Sequence, residues 1–251
     1  MVVNSLLAGS KVLVTRPEQQ AKPLCDLIVQ AGGQAIAFPA IEIVPIPTSN
    51  WAEMVLAEQD MIIFVSRNAV SYFIEALTEP LPNQILLASV GAGSAASMHD
   101  HGLRVDIQPE KSIGSEGLLL MPEFDNMVDK KILIVRGKGG RELLADTLTQ
   151  RGGIVQYLEV YERVLPSPSV AQCEQALTAD YIVCTSVAGV KNLSVLLQKG
   201  LKKIVDKPML VMSERIKAYA ASVGFQNIIV TDTSSDNAVV ELLTKLTKDG
   251  R

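Results

Sequence analysis

Six short stretches of the 251-residue chain gather the residue types that hold anions. They are Thr15 with Arg16, Ser66 with Arg67 and Asn68, Gly91 to Ser94, Arg136 to Arg141 ("RGKGGR"), Thr185 with Ser186, and Ser213 to Lys217. Nearly every member is basic, hydroxylic or glycine. Arginine offers paired N–H donors to carboxylates or phosphates, while backbone amides at helix N-termini add fixed partial positive charge. Each stretch also has an ordinary explanation. Ser66 and Ser186 can be helix N-caps, Arg16 and Arg136 solvated strand ends, and Gly137 to Gly140 a turn. Repetition of the pattern favours the binding reading over the ordinary one.

Other chemistries lack their parts. There is no Ser-His-Asp or Cys-His constellation and no Walker G-x-x-x-x-G-K-[ST]; "RGKGGREL" has the glycines of a phosphate loop without its closing lysine and hydroxyl. The two histidines, His99 and His101, stand at i, i+2, which does not share a helix face, so a metal pair is not expected and both should be solvent-exposed. Cys25, Cys173 and Cys184 are far apart, which indicates neither a disulfide framework nor a zinc knuckle and suits a reducing compartment. With 27 acidic against 23 basic residues the formal charge is -4, so broad nucleic-acid or anionic-membrane binding is disfavoured and an anion must be held locally. "MVVNSLLAGS" has no basic n-region, and no apolar run approaches membrane-spanning length, so a soluble cytoplasmic protein is expected.

The elements that position these stretches repeat. "KVLVTR" from Lys11 returns as "KILIVR" from Lys131, 120 residues on; "DMIIFVSRNAV" from Asp60 returns as "DYIVCTSVAGV" from Asp180. With a slip of two, "VGAGSAASMHDHGL" from Val90 aligns with "MSERIKAYAASVGF" from Met212, including Gly102 and Gly224 as helix-ending glycines. The first of these contains Gly91, Gly93 and Ala96 at G-x-G-x-x-A spacing, the mark of a dinucleotide site. Its repeat builds the same junction with Ser213, Glu214 and Arg215 and no glycine, and Asp106 comes too early for a ribose-binding acid. A nucleotide-dependent oxidoreductase is therefore a minor reading, and no cofactor is expected.

Runs such as "KVLVT", "MIIFV", "KILIV", "YIVCT" and "PMLVM" are continuous and β-branched, as strands covered on both faces must be. Helical stripes at i, i+3, i+4, i+7 run through Leu24, Leu27, Ile28 and Ala31, through Val70, Phe73, Ile74 and Leu77, and through Ile216, Tyr219, Ala220 and Val223. "LRVDI" after Gly102 reads as a further strand. Two extended, proline-marked segments about 120 apart, "FPAIEIVPIP" and "LEVYERVLPSP", read as crossings between domains. The expected layout is α/β: residues 1–37 plus 166–251 as a discontinuous domain, 47–158 as a second, and 38–46 with 159–165 as crossing linker strands. A deep cleft should separate the two lobes, with ligands beyond the carboxyl ends of the strands.

One family joins these features. "VLVTRP" with Arg16, "FVSRNAV" with Ser66 and Asn68, "SVGAGSA" with Gly91, "GSEGLL" with Ser115 and Glu116, "RGKGGRELL" with Arg136, Gly137 and Gly140, "EVYER" with Tyr161, and "CTSVAGV" with Ser186 occur in this order. From Lys11 to Leu246 the chain resembles the uroporphyrinogen-III synthase family. The resemblance implies two flavodoxin-like parallel-sheet domains joined by a two-stranded linker. It implies a linear hydroxymethylbilane as substrate, a tetrapyrrole carrying acetate and propionate groups that an anion-holding cleft would suit. The implied reaction, a step of haem biosynthesis, loses the terminal hydroxyl as water and closes the ring through a spiro intermediate with ring D inverted.

On that resemblance Tyr161 is the expected donor to the departing hydroxyl, since a phenol titrates at about 10 and is protonated at neutral pH; its ordinary alternative is a hinge tyrosine packed between lobes. Tyr157, on the same strand, is expected on the opposite crossing edge in a structural role, and Glu116 and Glu42 are further acids of interest. Where many members have a glycine and threonines after the last strand of the domain, this chain has "MSERIKA", so Ser213 and Arg215 are expected to bind substrate carboxylate instead. A monomer is expected, with transient hand-over from hydroxymethylbilane synthase as its partner interaction. The competing reading is a two-lobed binding protein that captures a small polyanionic metabolite without chemistry, with Tyr161 as a gate.

Overall fold

The computed structural model describes residues 6–47, 56–110, 114–231, 233 and 235–249. The strands in chain order are β1 (Lys11–Val14), β2 (Gln34–Ala37), β3 (Glu42–Pro45), β4 (Met61–Phe64), β5 (Leu86–Ser89), β6 (Lys131–Gly137), β7 (Ile154–Val164), β8 (Tyr181–Cys184), β9 (Met209–Val211) and β10 (Ile228–Val230). Between them run α1 (Glu18–Gln30), α2 (Arg67–Ala76), α3 (Ala92–Asp100), α4 (Ser115–Leu119), α5 (Leu143–Gln150), α6 (Val170–Ala176), α7 (Val187–Leu196) and α8 (Glu214–Ser222), and α9 (Asp236–Asp249) ends the fold. The chain divides into two compact units, Met1–Glu42 with Val164–Arg251, and Ile43–Arg163.

Each unit is built on one five-stranded sheet, ordered β10-β9-β8-β1-β2 in the first and β3-β7-β6-β4-β5 in the second. The central pairings are parallel, which requires helical crossovers on both faces and explains the unbroken apolar strands. In the first unit Leu13 joins a core under α6, α7 and α8, while Val12 and Val14 point to the other face, against α1 and α9. In the second, Met61 and Ile63 face α4 and α5, and Ile62 and Phe64 face α2 and α3. The helical stripes face these cores: Leu24 and Ile28, Val70 and Phe73, and Ile216 and Ala220 are buried.

The internal repeat is a repeat of topology. The order β5-β4-β6-β7 reproduces β9-β8-β1-β2, strand for strand at the spacing of the sequence repeat. Gly102 and Gly224 both take left-handed φ values, +74° and +104°, just past the ends of α3 and α8. The copies differ beside β5. The expected strand at Leu103–Ile107 is reduced to one bridge, Ala88 to Ile107, where the other copy has β10. The reason is local: Asp106 Oδ2 accepts the Leu87 N–H at 2.7 Å, so a side chain takes a donor that a strand would have used.

Residues 159–161, expected in a crossing segment, continue β7 alongside β6, with a register shift between Glu159 and Tyr161. The chain passes from the first unit to the second at the head of β3 and returns at the tail of β7, and these two strands are neighbours in the second sheet. Among the described residues no helix is long and apolar enough to cross a membrane.

Candidate active site

The second unit carries a cleft of about 180 Å³ beyond the carboxyl ends of β4 and β6, and every residue lining it belongs to Ile43–Arg163. Ser66 closes β4 and caps α2, accepting the Ala69 N–H at 3.1 Å on a backbone that is still extended. Arg136 and Gly137 end β6, Gly139, Gly140 and Arg141 form the turn after it, and Tyr157, Tyr161 and Arg163 come from β7. Ser115 adds the first residue of α4.

A β-bulge sets the two tyrosines. Arg136 is opposite Glu159, but Gly137 is opposite Tyr161, so Val160 is an extra residue in the ladder. Without it Tyr161, four residues after Tyr157, would point to the same face. With it Tyr157 packs on the core under α4 and α5 while Tyr161 joins the core under α2 and α3. Both reach the cleft because it straddles the end of β6. Tyr157 thus lies on the face opposite Tyr161, as expected, and its ring also lines the cleft.

Tyr161 is 2% exposed. Its ring stacks on Tyr72 at 5.8 Å between centroids, and Arg163 lies over it at 5.3 Å. The hydroxyl receives Arg163 Nη2–H at 3.1 Å and shares a hydrogen bond with Ser66 Oγ at 3.1 Å. With Arg163 donating to the phenol oxygen, the phenol hydrogen goes to Ser66 Oγ or, when the serine is itself the donor, to an acceptor in the cleft.

On the other face Arg136 is buried and its guanidinium stacks on the Tyr157 ring at 4.4 Å. Nη1 meets Glu142 Oε1 at 3.3 Å, and the Tyr157 hydroxyl donates to Glu142 Oε2. Burial, then the Glu142 carboxylate, push the Tyr157 phenol up to about 12. The same hydrogen bond, with Arg136 beside it, holds the Glu142 carboxyl below its ordinary value. Gly140 adopts φ +127°, and a Cβ there would come within 2.7 Å of Arg136 Nη2, so the turn needs a glycine to cover the guanidinium.

The structure thus brings together Ser66, Ser115, Arg136, Gly137, Gly140 and Tyr161 from the residues chosen on sequence. Asn68 sits half-buried in the first turn of α2 and Gly91 precedes α3, neither of them lining the cleft. Of the glycines at G-x-G-x-x-A spacing, Gly93 packs against the Arg67 guanidinium, which a Cβ there would meet at 3.3 Å. Glu116 is exposed and pairs with Arg141 at 3.2 Å, and Glu42 is exposed at the head of β3. Arg163 and Glu142 were missed on sequence; Arg163 could have been found from its position two residues after Tyr161.

In the first unit the equivalent strand ends carry Arg16, Ser186, Ser213 and Arg215. Arg16 Nη1 is held by Asp236 Oδ1 at 2.5 Å, a partner from the start of α9 that sequence reasoning did not single out. Ser186 and Ser213 cap α7 and α8, accepting the amides of Gly189 at 2.9 Å and Ile216 at 3.4 Å. Arg215 is exposed in the first turn of α8. His99 and His101 are exposed, and among the described residues no group of three or more His, Cys, Asp and Glu could hold a metal.

Two doubly covered parallel sheets, one ending in a cleft lined by arginine, serine and tyrosine side chains, define a two-unit α/β protein of the doubly wound class. The family model described as Uroporphyrinogen-III synthase HemD matches residues 22–241, and the chain belongs to that family, whose members are enzymes of haem biosynthesis. The chain is 30% identical over 246 residues to uroporphyrinogen-III synthase of Escherichia coli (strain K12), covering 92% of this chain and 99% of the relative. A second relative, from Proteus mirabilis, is 33% identical over 162 residues, covering 61% of this chain and 80% of the relative. Among solved structures, uroporphyrinogen-III synthetase from Helicobacter pylori 26695 superposes with a TM-score of 0.67 at 17% identity, over 94% of this chain and 99% of that one. A mutant uroporphyrinogen III synthase from the extremely thermophilic bacterium Thermus thermophilus gives 0.60 at 17% identity, over 97% and 100%. These two share the fold.

Proposed function

We propose that this protein cyclises hydroxymethylbilane to uroporphyrinogen III, and that Tyr161 is the proton donor to the departing hydroxyl. The pyrrole nitrogen of ring A expels the terminal hydroxyl, which leaves as water once it takes a proton. The substituted α-carbon of ring D then attacks the exposed methylene, giving a spiro intermediate that opens and recloses with ring D inverted. The net change is loss of one water. The electronics belong to the substrate, so the protein's part is to fold the bilane for spiro attack and to place donors at the leaving oxygen.

The observation that carries this reading is the Tyr161 hydroxyl, buried at the cleft with Arg163 donating to it and Ser66 beside it. In this reading the phenol proton passes to the leaving oxygen, Arg163 and Ser66 stabilise the phenol oxygen that remains, and the proton released from the free α-carbon of ring D as the ring recloses restores the phenol. Arg136, Ser115 and the amides of Gly137 and Gly140 hold substrate carboxylates. Asn68, Gly91 and Glu116 contact the substrate farther along its length, as do Arg16, Ser186, Ser213 and Arg215 of the other unit. The protein works in the cytoplasm as a monomer and takes its unstable substrate from hydroxymethylbilane synthase.

The test couples purified protein to hydroxymethylbilane synthase and porphobilinogen, oxidises the products and resolves type I from type III uroporphyrin. A dominant type III peak is the expected result. Type I alone, with the first enzyme active, would leave the chain as a binder of polyanionic metabolites.

A further inference from the structure

Arg136 is held by an incomplete ion pair. Its side chain is 6% exposed, yet Nη1 meets Glu142 at 3.3 Å, well beyond the roughly 2.7–2.9 Å of a good charge-assisted bond. Nε points to the Gly137 carbonyl, also at 3.3 Å. A guanidinium has five donor hydrogens in a fork that matches both oxygens of one carboxylate. Nη2, beneath Gly140, meets no protein acceptor among the described residues. Glu142 spends its second oxygen on the Tyr157 hydroxyl instead.

The cleft opens onto Arg136 and Tyr157, whereas Glu142 reaches them from the flank, does not line the cleft, and has its side chain 55% exposed. We propose that Glu142 stands in for a carboxylate of the bound molecule: one acetate or propionate group takes both Nη atoms of Arg136 and the Tyr157 hydroxyl, and Glu142 swings into water. This rests on the reading of the cleft as the bilane site.

The exchange is favourable on each count. One long contact becomes a fork. The buried guanidinium is never left without an anion, the state that costs most in such sites. Glu142 is already half in water, so little solvation must be regained and little ordering is lost elsewhere. The stack on Tyr157 and the cover of Gly140 keep the guanidinium oriented while the anions change places, which limits the entropy lost on binding.

Steady-state kinetics of Glu142→Gln in the coupled isomer assay test this. Removing the internal competitor is expected to lower KM about three- to ten-fold, and a KM equal to or above that of the wild type overturns the proposal. Should Glu142→Gln not fold, Glu142→Asp withdraws the carboxylate by one methylene and is expected to lower KM in the same direction, at least two-fold. Tyr157→Phe supplies the independent arm. If the hydroxyl binds substrate, KM rises three-fold or more; if it only holds Glu142, KM stays or falls, and the proposal fails. A wild-type protein that yields only type I product defeats the parent reading, whereas type III product with an unaltered KM in Glu142→Gln defeats this inference alone.

Discussion

The ring of Tyr161 occupies the space that a side chain on Gly137 would need. A Cβ there would fall 2.5 Å from two ring carbons and 2.9 Å from the hydroxyl oxygen. The contact follows from the bulge, which sets Tyr161 directly opposite Gly137, and the Lys138 N–H fixes it further by donating to the Tyr161 carbonyl at 2.7 Å. Gly137→Ala must therefore displace the phenol or the strand. Overpacking of this kind costs about 1–3 kcal/mol, measurable by urea unfolding. A shift of the donor by an ångström costs roughly 100-fold in turnover, so type III formation should fall by that order while the variant remains folded.

Tyr161→Phe separates the hydroxyl from the ring. The ring keeps its stack on Tyr72 and its place against Gly137, while Ser66 and Arg163 each lose one partner. A loss of about 1 kcal/mol in stability is expected for the hydrogen bonds. Loss of a positioned proton donor lowers kcat about 10²- to 10⁴-fold. The measurement is single-turnover formation of type III isomer; a variant with wild-type turnover would remove Tyr161 from the chemistry and leave it as packing.

Ser66 and Ser186 are the same residue in the two copies of the repeat, and each caps the helix that follows its strand. Ser66 alone has the second contact, to the Tyr161 hydroxyl. Replacing either by alanine should cost about 1 kcal/mol through the lost cap, read by thermal or urea unfolding. Ser66→Ala should in addition reduce kcat several-fold, and Ser186→Ala should act on KM if that unit also contacts substrate. Equal effects of the two variants on kcat would show that the cap is the whole role of Ser66.

Much of this arrangement was legible in the sequence because apolar runs and their 120-residue echo are strong signals. Lys11 to Arg16 and Lys131 to Arg136 announce equivalent strands, and ligands collect at the ends of such strands. What could not be read was a one-residue irregularity. Nothing in "LEVYERV" marks Val160 as the bulged residue, yet that residue decides which face Tyr161 takes and so brings Tyr157 and Tyr161 to one cleft from two sides. The loss of a strand at Leu103–Ile107 has the same character, since it turns on one carboxylate, Asp106, capturing one amide. Asp236 escaped notice because its partner, Arg16, lies 220 residues away.

The Tyr157 phenol provides a pH signature. Its folded-state value is raised to about 12 by burial and by Glu142, against about 10 for an unfolded tyrosine. Between these values the unfolded chain has lost this proton and the folded protein retains it, so raising the pH favours unfolding. The contribution is complete below about pH 10 and is lost as pH climbs towards 12. Glu142 has the opposite sign: its lowered carboxyl value gives a contribution present above the ordinary glutamate range and lost as pH falls through the folded value. Urea midpoints measured for wild type and Tyr157→Phe should therefore converge as pH rises from 10 to 12, the wild type falling the more steeply. The same pair should also converge at acid pH, where protonated Glu142 no longer accepts a charge-assisted bond from Tyr157. Parallel curves across the alkaline range would mean that the Tyr157–Glu142 bond does not persist in solution, and with it would go the pre-ordered state of Arg136.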